Sequence, residues 1–214
     1  MENMFNLVLV DLQEDLCHEF EKSFKGVDKV TVQYGRFEDV DFDCIVSAAN
    51  SFGLMDGGVD GAITMYFGGQ MMDRVQAHII DRYHGEQPVG TSFIIRGNEQ
   101  LNDGDNKYVA HTPTMRIPMN IVATENVYQA MKAMLIEVHR FNKLIDDGKL
   151  DSKYNRINTV ACTGLGTFCG EIPSKRAARD MKLAYDNFIN PPTEIDWDFA
   201  VQRNKEVFLS KINH

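Results

Sequence analysis

The sequence predicts an α/β protein, a three-layer α/β/α sandwich built on a central mixed, mostly parallel sheet. Three observations carry that expectation. Short apolar runs of strand length alternate with longer stretches of helical periodicity. The run 42–48 is almost wholly apolar, as a strand covered on both faces must be. Two of the strands lead into glycine-bearing loops followed by helix starts, an arrangement suited to holding a ligand at strand ends.

Taken in order, residues 5–10 read as a short apolar strand. Asp11 is placed to cap a helix reaching about Phe24, on which Leu12, Leu16, Phe20 and Phe24 share a face. Residues 30–34 and 42–48 are further strands. Residues 59–66 and 71–83 are helical, 85–90 a loop and 91–96 a strand. The stretch 98–106, rich in Gly, Asp and Asn, reads as a hairpin-like turn into a strand at 107–111. A long helix starts within 120–127 and runs to about Ile145, ended by Asp146-Asp147-Gly148. A strand at 158–163 and a helix at 173–188 follow. Asn190-Pro191-Pro192 breaks the alternation, dividing a domain of residues 1–190 from a C-terminal tail or helix, 191–214, packed on it. Trp197, Phe199, Val201 and Phe208 are the apolar residues of that tail.

Composition limits the functions open to the chain. Its 214 residues, 43% hydrophobic and 25% charged, are ordinary for a globular domain with a sizeable core. A net charge of −9 speaks against binding double-stranded nucleic acid, which requires clustered cations. No apolar run approaches the ~20 residues of a membrane helix, so no membrane partner is expected. The opening residues lack the features of a secretory signal. The four cysteines, at 17, 44, 162 and 169, show no CxxC spacing, and two fall on core strands, which predicts reduced thiols and a cytoplasmic setting. No cofactor or metal is expected: His78 and His84 show no metal-ligand spacing, and His111 reads as a core or loop-stabilising residue. A Gly-x-Ser-x-Gly nucleophile elbow is also lacking. Met65, Met71, Met72, Met115 and Met119 read as core filler.

The candidate site lies in two strand–loop–helix units. In the first, Ser47-Ala48-Ala49-Asn50 closes an apolar strand and Gly57-Gly58-Val59-Asp60 opens a helix. Asn50 suits a turn, or an amide bonded to a sugar hydroxyl. Asp60 suits a helix cap, or a carboxylate orienting water at an anomeric carbon. Asp56 faces solvent, or supplies a second acid–base or metal-holding group. In the second unit, three glycines at 164, 166 and 170 form a flexible connection or a phosphate cradle ahead of a helix that opens with Pro173. Phe168 offers a face to ribose or base, or joins the core.

These residues resemble the macro domain family, whose signature is an apolar strand ending in an Asn-Ala-Ala-Asn-type motif, then a glycine loop and Val-Asp-Gly-Ala-Ile. Here Ser47-Ala48-Ala49-Asn50 and Gly57-Gly58-Val59-Asp60-Gly61-Ala62-Ile63 stand in those places, and Gly164-Leu165-Gly166-Thr167 with Gly170 is similar to the family's second phosphate loop. The order of elements matches from Phe5 to about Phe188. The resemblance implies a cleft at the strand ends for an ADP-ribose-like molecule, free or carried on an ADP-ribosylated protein. It places Asn50 and Asp60 beside the distal ribose as catalytic residues. Ser47, Ala49, Gly57, Gly58 and Val59 line one side of that cleft. Thr163, Gly164, Leu165, Gly166, Thr167 and Phe168 line the other.

Three departures accompany the resemblance. Gly35-Arg36-Phe37 stands where the family has Gly-Asp-Ile, so the Asp that bonds the adenine amine is replaced by Arg36, which has no acceptor. A weaker adenine preference follows, with Arg36 stacking on a base or donating to a carbonyl, or with Asp11 as substitute acceptor. Ser47 replaces the first Asn of the motif, and Met55 and Asp56 replace two loop glycines. The implied activity is hydrolysis of an ADP-ribose adduct: a mono-ADP-ribosyl protein, O-acetyl-ADP-ribose or ADP-ribose 1″-phosphate. A reader that binds without turnover, or an interaction module that keeps only the fold, are the alternatives. On this reading a bulky residue at Gly166 or Gly58 would abolish binding in a folded protein.

Overall fold

A computed structural model describes residues 4–97 and 107–212. The expected turn at 98–106 lies outside the described residues. Six strands form one sheet: β1 Asn6–Asp11, β2 Val30–Tyr34, β3 Cys44–Asn50, β4 Phe93–Arg96, β5 Tyr108–Met115 and β6 Thr159–Cys162. Their order is β2-β1-β6-β3-β5-β4, with every pairing parallel except the antiparallel β4–β5. The helices are α1 Glu14–Ser23, α2 Gly58–Phe67, α3 Gln70–Tyr83, α4 Asn126–Asp146, α5 Ser174–Ile189 and α6 Trp197–Ile212, with a 3₁₀ turn at Phe37–Asp39.

Alternation along the strands assigns side chains to two cores, because successive residues point to opposite faces. Leu7, Leu9, Cys44, Val46, Val160 and Cys162 point towards α1, α4 and α5. Val10, Ile45, Val109 and Ala161 point the other way, against Ile63 of α2 and Met71, Val75 and Ile79 of α3. The sheet is therefore the middle layer of an α/β/α sandwich.

Several expectations shift by a few residues, each for a local reason. Helix α1 begins at Glu14 because Asp11 stays in the sheet beside Tyr34 while its carboxylate accepts from the Gln13 amide at 3.0 Å. Leu12 is then left outside the helix and 66% exposed. Strand β5 does not stop at His111 but runs to Met115. Pro113 is accommodated by a register jump, Ala49 pairing with Pro113 and Asn50 with Met115, since proline has no N–H for the ladder. Helix α4 starts at Asn126, because Asn120 Oδ1 holds the Val122 amide and Thr124 N closes a turn on Ile121 O. Of the methionines expected in the core, Met71 and Met115 are buried, whereas Met65 is 86% exposed and Met119 49%. Helix α6 lies against α5 through buried Val207, but Trp197, Val201 and Phe208 face outward.

His111 is a core residue, as expected. It is fully buried in β5, stacked on Phe93 at 5.1 Å, with Nδ1 2.6 Å from Gln87 Oε1. Burial pushes its pKa down to about 3, so the ring is neutral.

Asn142 joins α4 to the start of β6. Its Nδ2 donates to Ile157 O at 2.7 Å and its Oδ1 accepts from Ile157 N at 2.9 Å, all within the core. Asn142→Ala strands two buried backbone groups, and a loss of about 3 kcal/mol is expected in urea titration. A loss below about 0.5 kcal/mol would contradict that assignment.

Candidate functional site at the strand ends

The site begins where β3 leaves the sheet. Ser47, on the face covered by α2, is fully buried, and its hydroxyl donates to Asp60 Oδ1 at 2.6 Å. Asp60 lies in the first turn of α2, so it is not the cap; Gly57 takes that position. Only 6% of Asp60 is exposed. Burial raises its pKa to about 6, against the opposing pull of the Ser47 hydrogen bond and with help from the Asp56 charge. The other oxygen, Oδ2, has no hydrogen-bond partner among the described residues. A carboxylic acid titrating near neutrality with one free oxygen is equipped to take and return a proton.

Asn50 has the bonds of a turn residue. Its Oδ1 accepts from the amides of Phe52 at 3.1 Å and Leu54 at 3.3 Å, and its Nδ2 donates to Leu54 O at 2.8 Å. The side chain thus shapes the 51–54 turn before α2, and one N–H of its amide remains for a further acceptor. Ala49, which precedes it in β3, is buried. Beyond the turn, Gly57 is extended at φ −153° and Gly58 takes φ +56°. A Cβ on either would meet nothing within 4 Å, so the space before the α2 N-terminus is open. Val59 packs partly into the α2–α3 core.

The second loop differs. A Cβ on Gly164 would come within 2.3 Å of Leu16 Cδ2. One on Gly166, at φ +72°, would sit 2.9 Å from Ile121 Cδ1, and one on Gly170 2.4 Å from Gly166 O. The three glycines are small because the chain packs on itself. The expected reason for Gly166, room for a phosphate, is thereby corrected: a side chain there disturbs the core first. Leu165 is fully buried, Thr167 is half-buried, and Phe168 and Cys169 are exposed, Phe168 to 80%.

Asp11 joins the loop to β1. Its Oδ2 accepts from the Gly164 amide at 2.9 Å, a contact across 153 residues that local sequence does not signal. Arg36 is exposed and donates to Glu38 at 2.8 Å, while neighbouring Phe37 is buried against Phe42 and Tyr66. An open depression of about 610 Å³ lies beside the second loop, bounded by Gln13, Asp15 and His18 of the α1 region, Thr167 and Phe168, and Lys175 of α5. It does not reach Asp60 or Gly57. The fold thus gathers Ser47, Asn50, Gly57, Gly58 and Asp60 at one corner and Thr163–Phe168 at the next. Among the described residues no group of three or more His, Cys, Asp or Glu could hold a metal ion, and no helix is long and apolar enough to cross a membrane.

Known proteins resemble this chain in sequence and in fold. A model of the Macro domain matches residues 46–181. An uncharacterized protein of Aquifex aeolicus (strain VF5) is 31% identical over 152 residues, 71% of this chain and 78% of that protein. Among solved structures, the macrodomain of Mycobacterium tuberculosis DarG superposes with a TM-score of 0.53 at 18% identity, covering 73% of this chain and 90% of that one. A point mutant of the Oceanobacillus iheyensis macrodomain, solved with ADPR, gives 0.53 at 20% identity over 82% and 91%. The same macrodomain with ADP gives 0.51 at 20% identity over 82% and 89%.

Proposed function

The chain belongs to the macro domain family, and on that premise we propose that it binds ADP-ribose and hydrolyses an ADP-ribose adduct, with Asp60 as general base. The observation that carries the reading is Asp60, buried, held by Ser47 and free at Oδ2, in the first turn of a helix whose N-terminus opens onto empty space. Exposed amides and the helix dipole make that terminus favourable for a diphosphate. The neighbouring macrodomains with ADPR and ADP support the same ligand class.

The diphosphate lies between the open Gly57–Gly58 corner and the backbone of Gly164–Thr167. Ala49 and Val59 floor one side, while Thr163 and Leu165 support the other from beneath. The distal ribose then sits over Asn50 and Asp60. Asp60 Oδ2 accepts a proton from water as the water oxygen bonds to the anomeric carbon. The bond from that carbon to the adduct's oxygen breaks, and the proton passes on to the departing oxygen. Asn50 keeps the turn in place and donates its remaining N–H to the sugar. Phe168 offers an exposed face to the ribose or base. Arg36, tied to Glu38, leaves base choice to other groups.

The favoured adduct is a mono-ADP-ribosyl protein. Three buried thiols and one exposed free thiol suit a reducing compartment, the cytoplasm. The test is turnover: protein-linked ADP-ribose, O-acetyl-ADP-ribose and ADP-ribose 1″-phosphate are each incubated with the protein, and free ADP-ribose is measured. Release from at least one is expected. Binding without release from any would leave the reader function in its place, a reading favoured by the engagement of Asn50 in its own turn.

A further inference from the structure

Three loops around the candidate site join into one arc. Ser51 N donates to Met115 O at 3.1 Å, and the Arg116 guanidinium lies 5.6 Å from the Phe52 ring centre. Ile121 N donates to Gly170 O at 3.0 Å, and Asn120 Nδ2 to Glu171 Oε2 at 2.6 Å. Residues 51–55, 115–121 and 168–171 are thus continuous. On this arc Leu54 is 46% exposed, Ile117 50%, Met119 49% and Phe168 80%. Single exposed apolar residues are ordinary, but four on adjoining loops beside a ligand site mark a contact surface.

The charges on the arc indicate what it contacts. Asp56 and Glu171 are exposed carboxylates. Arg116, the cation of the middle loop, donates to both oxygens of Glu86, at 2.5 and 3.0 Å. A nucleic-acid backbone would meet apolar side chains and negative charge there, where it needs cations to neutralise phosphates. A polypeptide with apolar and basic residues would bury the former on Leu54, Ile117 and Met119 and place the latter near Asp56 and Glu171.

We propose that this arc docks the protein that carries the ADP-ribose, engaging apolar and basic residues that flank the modified side chain. The proposal rests on the reading of the strand-end cleft as an ADP-ribose site, and it adds the surface of this chain on which the carrier protein is held.

The experiment compares wild type with the triple variant Leu54→Ser, Ile117→Ser, Met119→Ser, whose substitutions remove only exposed apolar groups. Three probes are titrated: free ADP-ribose, a peptide with Leu, Phe and Arg flanks bearing ADP-ribose through a non-hydrolysable linkage, and an oligonucleotide bearing it likewise. The wild type is expected to bind the peptide conjugate more tightly than free ADP-ribose. The variant is expected to bind that conjugate about tenfold more weakly, with free ADP-ribose unchanged within about twofold. An unchanged peptide affinity in the variant, or tighter binding of the oligonucleotide conjugate with a steep salt dependence, would overturn the proposal. Failure of the wild type to bind free ADP-ribose would instead remove the reading of the cleft on which it rests.

Discussion

Asp60→Asn should yield a protein that is more stable and nearly inactive. In the folded chain Asp60 titrates at about 6, against 3.8 for the ordinary carboxylate. The folded state therefore holds the proton more tightly than the unfolded one. Asp60's contribution to stability is greatest below pH about 3.8, falls as pH rises through the window to about 6, and stays lost at pH 7. Keeping the buried carboxyl ionised at neutral pH costs the fold about 2–3 kcal/mol on that account. Asn removes the buried charge while its Oδ1 still accepts from Ser47, so most of that energy should return as a higher unfolding midpoint at pH 7. The gain should vanish near pH 4. Turnover should fall about 10²-fold or more, because an amide takes no proton. Wild-type activity should rise with pH through about 6, and the variant's residual activity should lack that limb. A destabilised variant, or one with wild-type turnover, would contradict the role given to Asp60.

The second large effect separates two glycines that look alike in sequence. Gly166→Val puts a branched side chain on a residue at φ +72°, with Ile121, Val127 and Ile172 all within 3.3 Å of the new Cβ. Strain and overpacking together should cost about 3–5 kcal/mol, near the whole stability of many domains. Gly57→Val meets open space at an extended φ of −153°. That variant should keep its melting temperature within about 2 °C, yet bind ADP-ribose at least tenfold more weakly, since its side chain occupies the approach to the α2 N-terminus. Thermal unfolding followed by calorimetric titration reads both effects. A stable Gly166→Val, or a Gly57→Val that binds as wild type does, would refute the division of labour between the loops.

The legible parts of the molecule were those governed by local pattern. The apolar run ending β3 and the periodicity of α2 and α3 are set by burial, so their positions followed from residue type alone. So did the open glycines at 57 and 58. What stayed hidden depends on contacts between distant residues. Asp11 looked like a helix cap because nothing near it in sequence reveals that its carboxylate holds the Gly164 amide. The packing need for glycine at 164, 166 and 170 was hidden because Leu16 and Ile121, which fill the space beside them, lie far away in the chain. The extension of β5 beyond residue 111 was hidden too, since it depends on the register jump opposite Ala49 and Asn50 at Pro113. Asn50 admitted two roles in sequence, and its bonds to Phe52 and Leu54 establish the turn while one N–H remains.

The central claim, that the open corner before α2 is an ADP-ribose site, meets its most direct test in calorimetric titration of the full chain with ADP-ribose. Saturable one-to-one binding is expected, with a Kd of about 10 μM or tighter, weakened at least tenfold in Gly57→Val. The absence of any saturable heat up to millimolar ADP-ribose would contradict it.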